Sequence, residues 1–327
     1  MTRHGEHIYL SNILKLGDIM LFNNVEIEET FAEAFPMYAT RILITAKNEK
    51  WTLIAARVAT GFASSIIMSP AEAGIEAKVP ETATPDGRYG CLIQIYHRSI
   101  PELKFQVLAR IGQCILTCPT TSVFDGLRRV KRKMRIGDAI GKFGDGFQYM
   151  EERDGMKLWH IPVMEGEFII EDTLGVVKSV AGGNLIILAK DGDSGLKAAE
   201  HAVSSIRRYC RNVILPFPGG IVRSGSKVGS LKYPKLAATT NHLLCPTLRE
   251  KVKDSLVPAN VNCVYEIVIN GLRFDDVLKA MGVGILAATE IEGVVKITAT
   301  NFGGKLGPYK LYITDAIERA KELVRRD

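Results

Sequence analysis

The sequence predicts an α/β protein of the α+β kind with two similar lobes, each a split βαβ unit of ferredoxin-like order, βαββαβ. Three observations lead there. Strand-like and helix-like periodicities alternate along the chain, with two strand–helix–strand units in each half. Two returning strands of the second half run into a double glycine and then a lysine-glycine element: Gly219-Gly220 with Lys227-Val228-Gly229, and Gly303-Gly304 with Lys305-Leu306-Gly307. The strands are also too short and too interrupted for one large doubly wound sheet. The expected organisation is an N-terminal extension (1–22), an N-terminal lobe (23–168) and a C-terminal lobe (169–327).

Residues 1–22 hold a partly apolar stretch that includes Lys15 and Asp18 and lacks a small-residue cleavage site, so it does not read as a signal peptide. Codons for Gly17-Asp18 can spell part of a ribosome-binding site ahead of Met20. Translation is therefore expected to start at either Met1 or Met20. Residues 41–46 (RILITA) read as a strand. Residues 50–60 read as a helix, with Trp51, Ile54, Ala55 and Val58 on one face and Gly61 as its stop. A strand at 65–69 follows, then one at 91–96. Pro101 opens a second helix with Leu103, Val107, Leu108 and Ile111 inward and Gly112 at its end. The run 114–118 reads as the returning strand.

The stretch 126–155 breaks this rhythm. It carries Arg128, Arg129, Lys131, Arg132, Lys133 and Arg135. A solvated basic face, a nucleic-acid patch and a landing area for an anionic coenzyme all fit that charge, although no aromatic residues interleave to stack on bases. The alternation then resumes: a strand at 184–189, a helix capped by Asp193 and Ser194 with Leu196, Ala199, Val203 and Ile206 on one side, and a strand at 212–215. Strands at 264–269 and 293–299 flank a helix at 275–289. A strand at 309–313 and a helix from Asp315 complete the pattern.

The 327 residues suffice for two ordinary domains. Hydrophobic residues at 46% and charged residues at 24% are the make-up of a globular protein. The net charge of +6 permits anionic ligands without requiring nucleic acid. No apolar run approaches the roughly 20 residues of a membrane span, and a cytoplasmic location is expected. The six cysteines (91, 114, 118, 210, 245 and 263) form no CxxC pair, which suits reduced thiols. With no histidines at ligand spacing, no metal site is expected.

Two stretches carry candidate chemistry. In Cys263-Val264-Tyr265-Glu266-Ile267-Val268-Ile269-Asn270-Gly271, side chains alternate faces, so Val264, Glu266 and Val268 share one side. An acid between two valines resists ionisation if that face is covered, because burial disfavours the charged form. On a solvated face it would be an ordinary surface carboxylate. In Asn301-Phe302-Gly303-Gly304-Lys305-Leu306-Gly307, glycines can open backbone N–H groups toward an anion beside a lysine. A tight turn needing positive φ gives the same letters.

Other constellations fall short. Gly220–Lys227 (GIVRSGSK) resembles a phosphate-binding loop, but an extra serine precedes the lysine and no Ser or Thr follows it. No GxGxxG follows a strand. Cys114 or Cys118 could serve as a nucleophile toward an acyl group, yet no cationic neighbour is visible to activate either thiol. His160 sits in an apolar setting, Leu158-Trp159-His160-Ile161, which suits a structural role.

VYEIVING followed by NFGGKLG resembles the formylmethanofuran–tetrahydromethanopterin formyltransferase family. So do VEIEETFAEAF (25–35), TGFASSIIMSPAEAGIE (60–76), TPDGR (84–88), IGQCILTCPT (111–120), FGDGFQ (143–148), EGEFIIED (165–172), VAGGN (180–184) and PFPGGIVRSGSKVGS (216–230). The likeness runs from about residue 23 to about residue 314, leaving 1–22 outside it. It implies a two-lobed α/β enzyme that moves a formyl group between the amine of methanofuran and a ring nitrogen of tetrahydromethanopterin. The two coenzymes are then substrates, and no bound metal or prosthetic group is implied. The resemblance places catalysis on Glu266. Gly183, Asn184, Gly219, Gly220, Lys227, Asn301, Phe302, Gly303, Gly304 and Lys305 are the expected coenzyme contacts, with the two lysines assigned to acidic tails. It also implies a homo-oligomer, a dimer or tetramer. Some thermophilic members are strongly acidic and salt-dependent; this basic chain departs from them, so that dependence is not expected. The alternatives are a formyltransferase-like subunit of a larger formylmethanofuran-processing complex, and a non-catalytic paralogue that binds an anionic ligand or RNA.

Overall fold

The computed structural model describes residues 13–16, 19–225 and 227–324. The chain divides into two compact units, one of residues 36–179 and one of residues 1–35 with 180–327. The units change over at 35/36 and 179/180, whereas the sequence suggested a single change at 168/169. Two long strands account for the difference. In Phe31–Ala46, residues 31–34 pair with Tyr309–Tyr312, while residues 38–46 pair with Tyr89–His97. Val177–Ala189 likewise runs through residue 180 without interruption.

In the 36–179 unit, the strand ending at Ala46 is followed by helix Glu49–Ala59, strands Glu72–Val79 and Tyr89–His97, helix Ile100–Arg110 and strand Ser122–Asp125. Asn48 and Ser99 cap the two helices through side-chain oxygens. The first strand lies between the fourth and the third, and the third pairs with the second, all antiparallel. This is the spatial order 4-1-3-2 of a split βαβ unit. Ile42, Ile44, Ile93 and Ile95 face Ala55, Leu103 and Val107 in its core.

Two expected strands here are not strands. Residues 65–69 form a turn in which the Met68 and Ser69 amides donate to the Ser65 carbonyl, and the Ile66 amide donates to the Glu72 carboxylate. The second strand is Glu72–Val79, beyond Pro70. Residues 111–115 extend the second helix as a wider turn, with the Leu116 amide donating to the Ile111 carbonyl. Gly112 therefore does not end that helix. Ile111 and Ile115, four apart, are both buried. The fourth strand starts only at Ser122.

In the other unit, strand Val177–Ala189 leads to helix Gly192–Tyr209, strands Val213–Ile214 and Cys263–Gly271, helix Phe274–Ala288 and strand Val294–Thr298. The pairings repeat the order 4-1-3-2. Asp191, rather than Asp193 and Ser194, caps the first of these helices: its carboxylate accepts from the Ser194 amide at 2.8 Å. Ala199, Val203 and Ile206 are buried, whereas Leu196 is exposed. Val25–Glu28 adds to the sheet in parallel beside Val294–Thr298, and Ile19–Phe22 and Ile13–Leu16 follow it as antiparallel strands. The other residues of the expected 1–22 extension lie outside the described residues. Helix Ile313–Val324 packs on Phe274–Ala288. Their approach needs Gly282, where a Cβ would stand 1.9 Å from the Ala316 carbonyl oxygen.

Candidate active site

The strand Cys263–Gly271 sorts its side chains by face. Ile267 and Ile269 enter the core beneath the helices. Glu266 points to the opposite face, across from Ile186. That face is covered by the long connection between Ile214 and Cys263, where Val257 and Val261 bury Ile186 and Leu188 with help from Leu244 and Val264. Glu266 thus sits on a covered face, not a solvated one, and is only 7% exposed.

The connection is pinned at the acid itself. Val222 and Glu266 exchange both backbone hydrogen bonds, at 2.7 and 2.9 Å. Glu266 helps to line a cavity of about 70 Å³ together with Ile186, Val222, Ser224, Thr240, Asn241 and Cys245. Its Oε2 is buried without a hydrogen-bond partner. Burial pushes the carboxyl up to about 7. A group in that state is part protonated at neutral pH and can both donate and accept a proton.

Close by in sequence, Gly219 and Gly220 form a turn at φ +68° and +92°. The Gly220 amide donates to the Phe217 carbonyl, and a Cβ on Gly220 would meet Val203 and Leu215. That amide is therefore not open to an oxyanion. The Gly219 carbonyl accepts from Arg207. Lys227 lies on a short hairpin, Lys227–Val228 with Ala238–Thr239. No helix follows the phosphate-loop-like stretch.

The Asn301–Gly307 loop is built around an acid that sequence reasoning missed. The Phe302 and Gly304 amides donate to Oε1 of Glu33 at 2.7 and 2.5 Å, and the Leu306 and Gly307 amides donate to Oε2 at 3.0 and 2.6 Å. The Asn301 carboxamide takes the Gly303 amide and itself donates to Thr30 and Phe31. The expectation that Gly303 and Gly304 offer free backbone donors is corrected accordingly, because an internal carboxylate already fills the nest. Burial alone would raise the Glu33 carboxyl, but hydrogen bonds from Gly307, Phe302, Gly304 and Leu306 together hold it below the usual range. Lys305 remains exposed. Asn184 exchanges hydrogen bonds with Thr300 at the loop's entry. Gly183 is packed so tightly that a Cβ would fall 2.3 Å from Val277 Cγ1. The only signal for Glu33 was its place in VEIEETFAEAF.

The other constellations resolve as structure. Cys118 is raised by burial, then by Glu165, the opposite of an activated thiolate. Both ring nitrogens of His160 lie 2.9 Å from carboxylate oxygens of Glu151 and Glu167, and the ring stacks on Tyr149. In the basic segment, Lys133 pairs with Asp125, Arg128 with Glu171 and Arg135 with Asp172. Among the described residues, no group of three or more His, Cys, Asp or Glu could hold a metal ion. No helix there is long and apolar enough to cross a membrane.

The family model for formylmethanofuran-tetrahydromethanopterin formyltransferase matches residues 20–163, and that for its proximal lobe matches residues 166–316. The formyltransferase of Methanocaldococcus jannaschii is 52% identical over 91% of this chain and 100% of its own. That of Methanopyrus kandleri is 52% identical over 90% and 99%. Among solved structures, the formyltransferase of Methanosarcina barkeri superposes with a TM-score of 0.88 at 46% identity, covering 91% of this chain and 100% of its own. A chain of the formyltransferase/hydrolase complex of Methylorubrum extorquens, solved with methylofuran, gives 0.87 at 42% identity over 91% and 99%.

Proposed function

The chain belongs to the formylmethanofuran–tetrahydromethanopterin formyltransferase family, and from that premise we propose that Glu266 is the acid through which it handles the proton of the transfer. The enzyme moves a formyl group between formylmethanofuran and tetrahydromethanopterin, its two coenzyme substrates. The observation that carries the assignment of Glu266 is its buried carboxyl, with Oε2 unpartnered, on a residue that lines a cavity.

A nitrogen of the pterin attacks the formyl carbon, a carbon–nitrogen bond forms, and the formyl oxygen becomes an oxyanion. Protonated Glu266 donates a hydrogen bond to that oxygen, as a carboxylic acid kept neutral by its site can do. It then gives its proton to the methanofuran nitrogen as the old carbon–nitrogen bond breaks, and recovers one from the attacking nitrogen. Holding both coenzymes in one complex supplies much of the acceleration. Lys227 and Lys305 serve the acidic tails of the coenzymes, each following a glycine pair in the sequence, Gly219-Gly220 and Gly303-Gly304. Asn301 and Phe302 border the second of these contacts. Asn184 supports it at the loop's entry through Thr300, and Gly183 beside it packs closely on Val277.

The enzyme works in the cytoplasm as a dimer or tetramer. The likeness to a chain of the Methylorubrum complex supports a second arrangement, in which it joins a larger formylmethanofuran-processing assembly. The test is an absorbance assay for the formylated pterin with purified protein and both coenzymes, run across pH. The expected kcat/KM falls as pH rises through about 7, the range in which Glu266 loses its proton. A profile flat from pH 5 to 9, or no product at all, would overturn the assignment.

A further inference from the structure

A carboxylate held by four backbone amides is unusual because the donors come from a distant loop. Glu33 lies on the strand Phe31–Ala46, about 270 positions from the residues that donate to it. An ionised carboxylate is acceptor-only and offers about four lone-pair sites on two oxygens. Here each oxygen receives two amides, so that capacity is filled. Backbone N–H groups clustered in a glycine-rich turn ordinarily form a concavity for an external anion. In this protein the chain supplies the anion itself.

The rest of the loop is fixed just as closely. Asn301 is tied to Thr30 and Phe31. Gly307 is seated so that a Cβ would meet the Ala34 backbone at 2.8 Å. Lys310 lies over the Phe31 ring, 5.3 Å from its centroid, and its Nζ would stand 2.7 Å from a Cβ on Gly304. The loop therefore has little freedom to reshape around a ligand. It leaves Lys305 exposed as its outward charge, beside exposed Gly303 and Leu306.

We propose that Glu33 is a positioning residue for the transfer reaction: its carboxylate takes the place of a ligand anion in the Phe302–Gly307 amide nest and so sets Lys305 as a fixed cationic anchor for the acidic tail of one coenzyme. This rests on the assignment of Lys305 to such a tail. The anchor works through charge, because the four amides that hold Glu33 are already taken. Preorganisation of this kind lowers the ordering cost of binding, so its loss belongs in KM and not in kcat.

The experiment is a double-mutant cycle on the full chain with Glu33→Gln, Lys305→Ala and the pair, reading kcat and KM for each coenzyme. Glutamine keeps the shape but turns an NH₂ toward two of the four amides. The expected result is a KM for one coenzyme raised about tenfold in either single variant, a kcat within about threefold of wild type, and a double variant no worse than either alone, as for groups acting in one unit. Additive effects, or an unchanged KM in Glu33→Gln beside a raised one in Lys305→Ala, would overturn the proposal while leaving Lys305 as a contact. An unchanged KM in Lys305→Ala would remove Lys305 itself and the proposal with it. A readout on the wild-type enzyme covers the case in which Glu33→Gln does not fold. The amides of residues 302, 304, 306 and 307 should exchange hydrogen slowly in the free protein, and exchange at unstructured-peptide rates would overturn the proposal.

Discussion

Two buried carboxylates, Glu33 and Glu266, have opposite surroundings and opposite proton affinities. Glu266 has valine and isoleucine neighbours and an oxygen with no partner, so burial lifts it to about 7. Glu33 is also shielded from solvent, yet its four amides more than offset the cost of that shielding. The consequences for stability have opposite signs. A carboxyl raised on folding adds stability that is complete below its unfolded pKa, near 4.5, and lost as pH climbs through about 7. Glu266→Gln does not titrate. Its stability relative to wild type should therefore improve by about 3 kcal/mol between pH 4 and pH 9, the cost of a rise from 4.5 to about 7, as measured by urea unfolding at each pH. A difference that does not change with pH would show the carboxyl to be solvated. For Glu33 the contribution is present above its unfolded pKa and lost as pH falls through the depressed folded value. Acid should thus release the Asn301–Gly307 loop, seen as faster amide exchange there. The sequence showed Glu266 because a lone acid interrupted an apolar strand. It hid Glu33 because the amides that hold it ionised lie some 270 residues away.

At the scale of elements, strand and helix periodicity located the first strand, the main helices and the Cys263–Gly271 strand. It failed where an apolar run was short. The stretch 111–118 is hydrophobic in a way that fits a buried strand or a helical turn equally, and the exposure of Gln113 between buried Ile111 and Ile115 separates the two, since a strand would put all three on one face. Residues 65–69 misled in the same way, because Pro70 and the Glu72 side chain set a turn that local hydrophobicity does not encode. Helix contacts were legible only as glycines without a reason. Gly282 now has one, since it lets Phe274–Ala288 reach the Ala316 backbone. Gly282→Ala should cost about 1–3 kcal/mol, as overpacking generally does, and lower the urea midpoint without changing the assignment of the active-site residues. An unchanged midpoint would mean that the helices separate freely.

At the scale of the molecule, the order 4-1-3-2 occurs in both units, so the two-fold plan seen in the sequence was sound even though two of its strands were misplaced. The charge pattern was the less informative guide. Three cations of the segment 126–155 are matched by Asp125, Glu171 and Asp172, acids that a linear count does not bring together. If assembly follows the family without the salt dependence of its acidic members, light scattering at low ionic strength should give a dimer or tetramer mass. A monomer mass would contradict that part of the account.

The most direct test concerns the proton itself. Glu266→Gln keeps the size of the side chain and a hydrogen-bond donor but cannot pass a proton on. Its turnover with formylmethanofuran and tetrahydromethanopterin should fall about 100-fold, the lower range for loss of a general acid, with an unchanged circular dichroism spectrum. Turnover within about threefold of wild type would contradict the account.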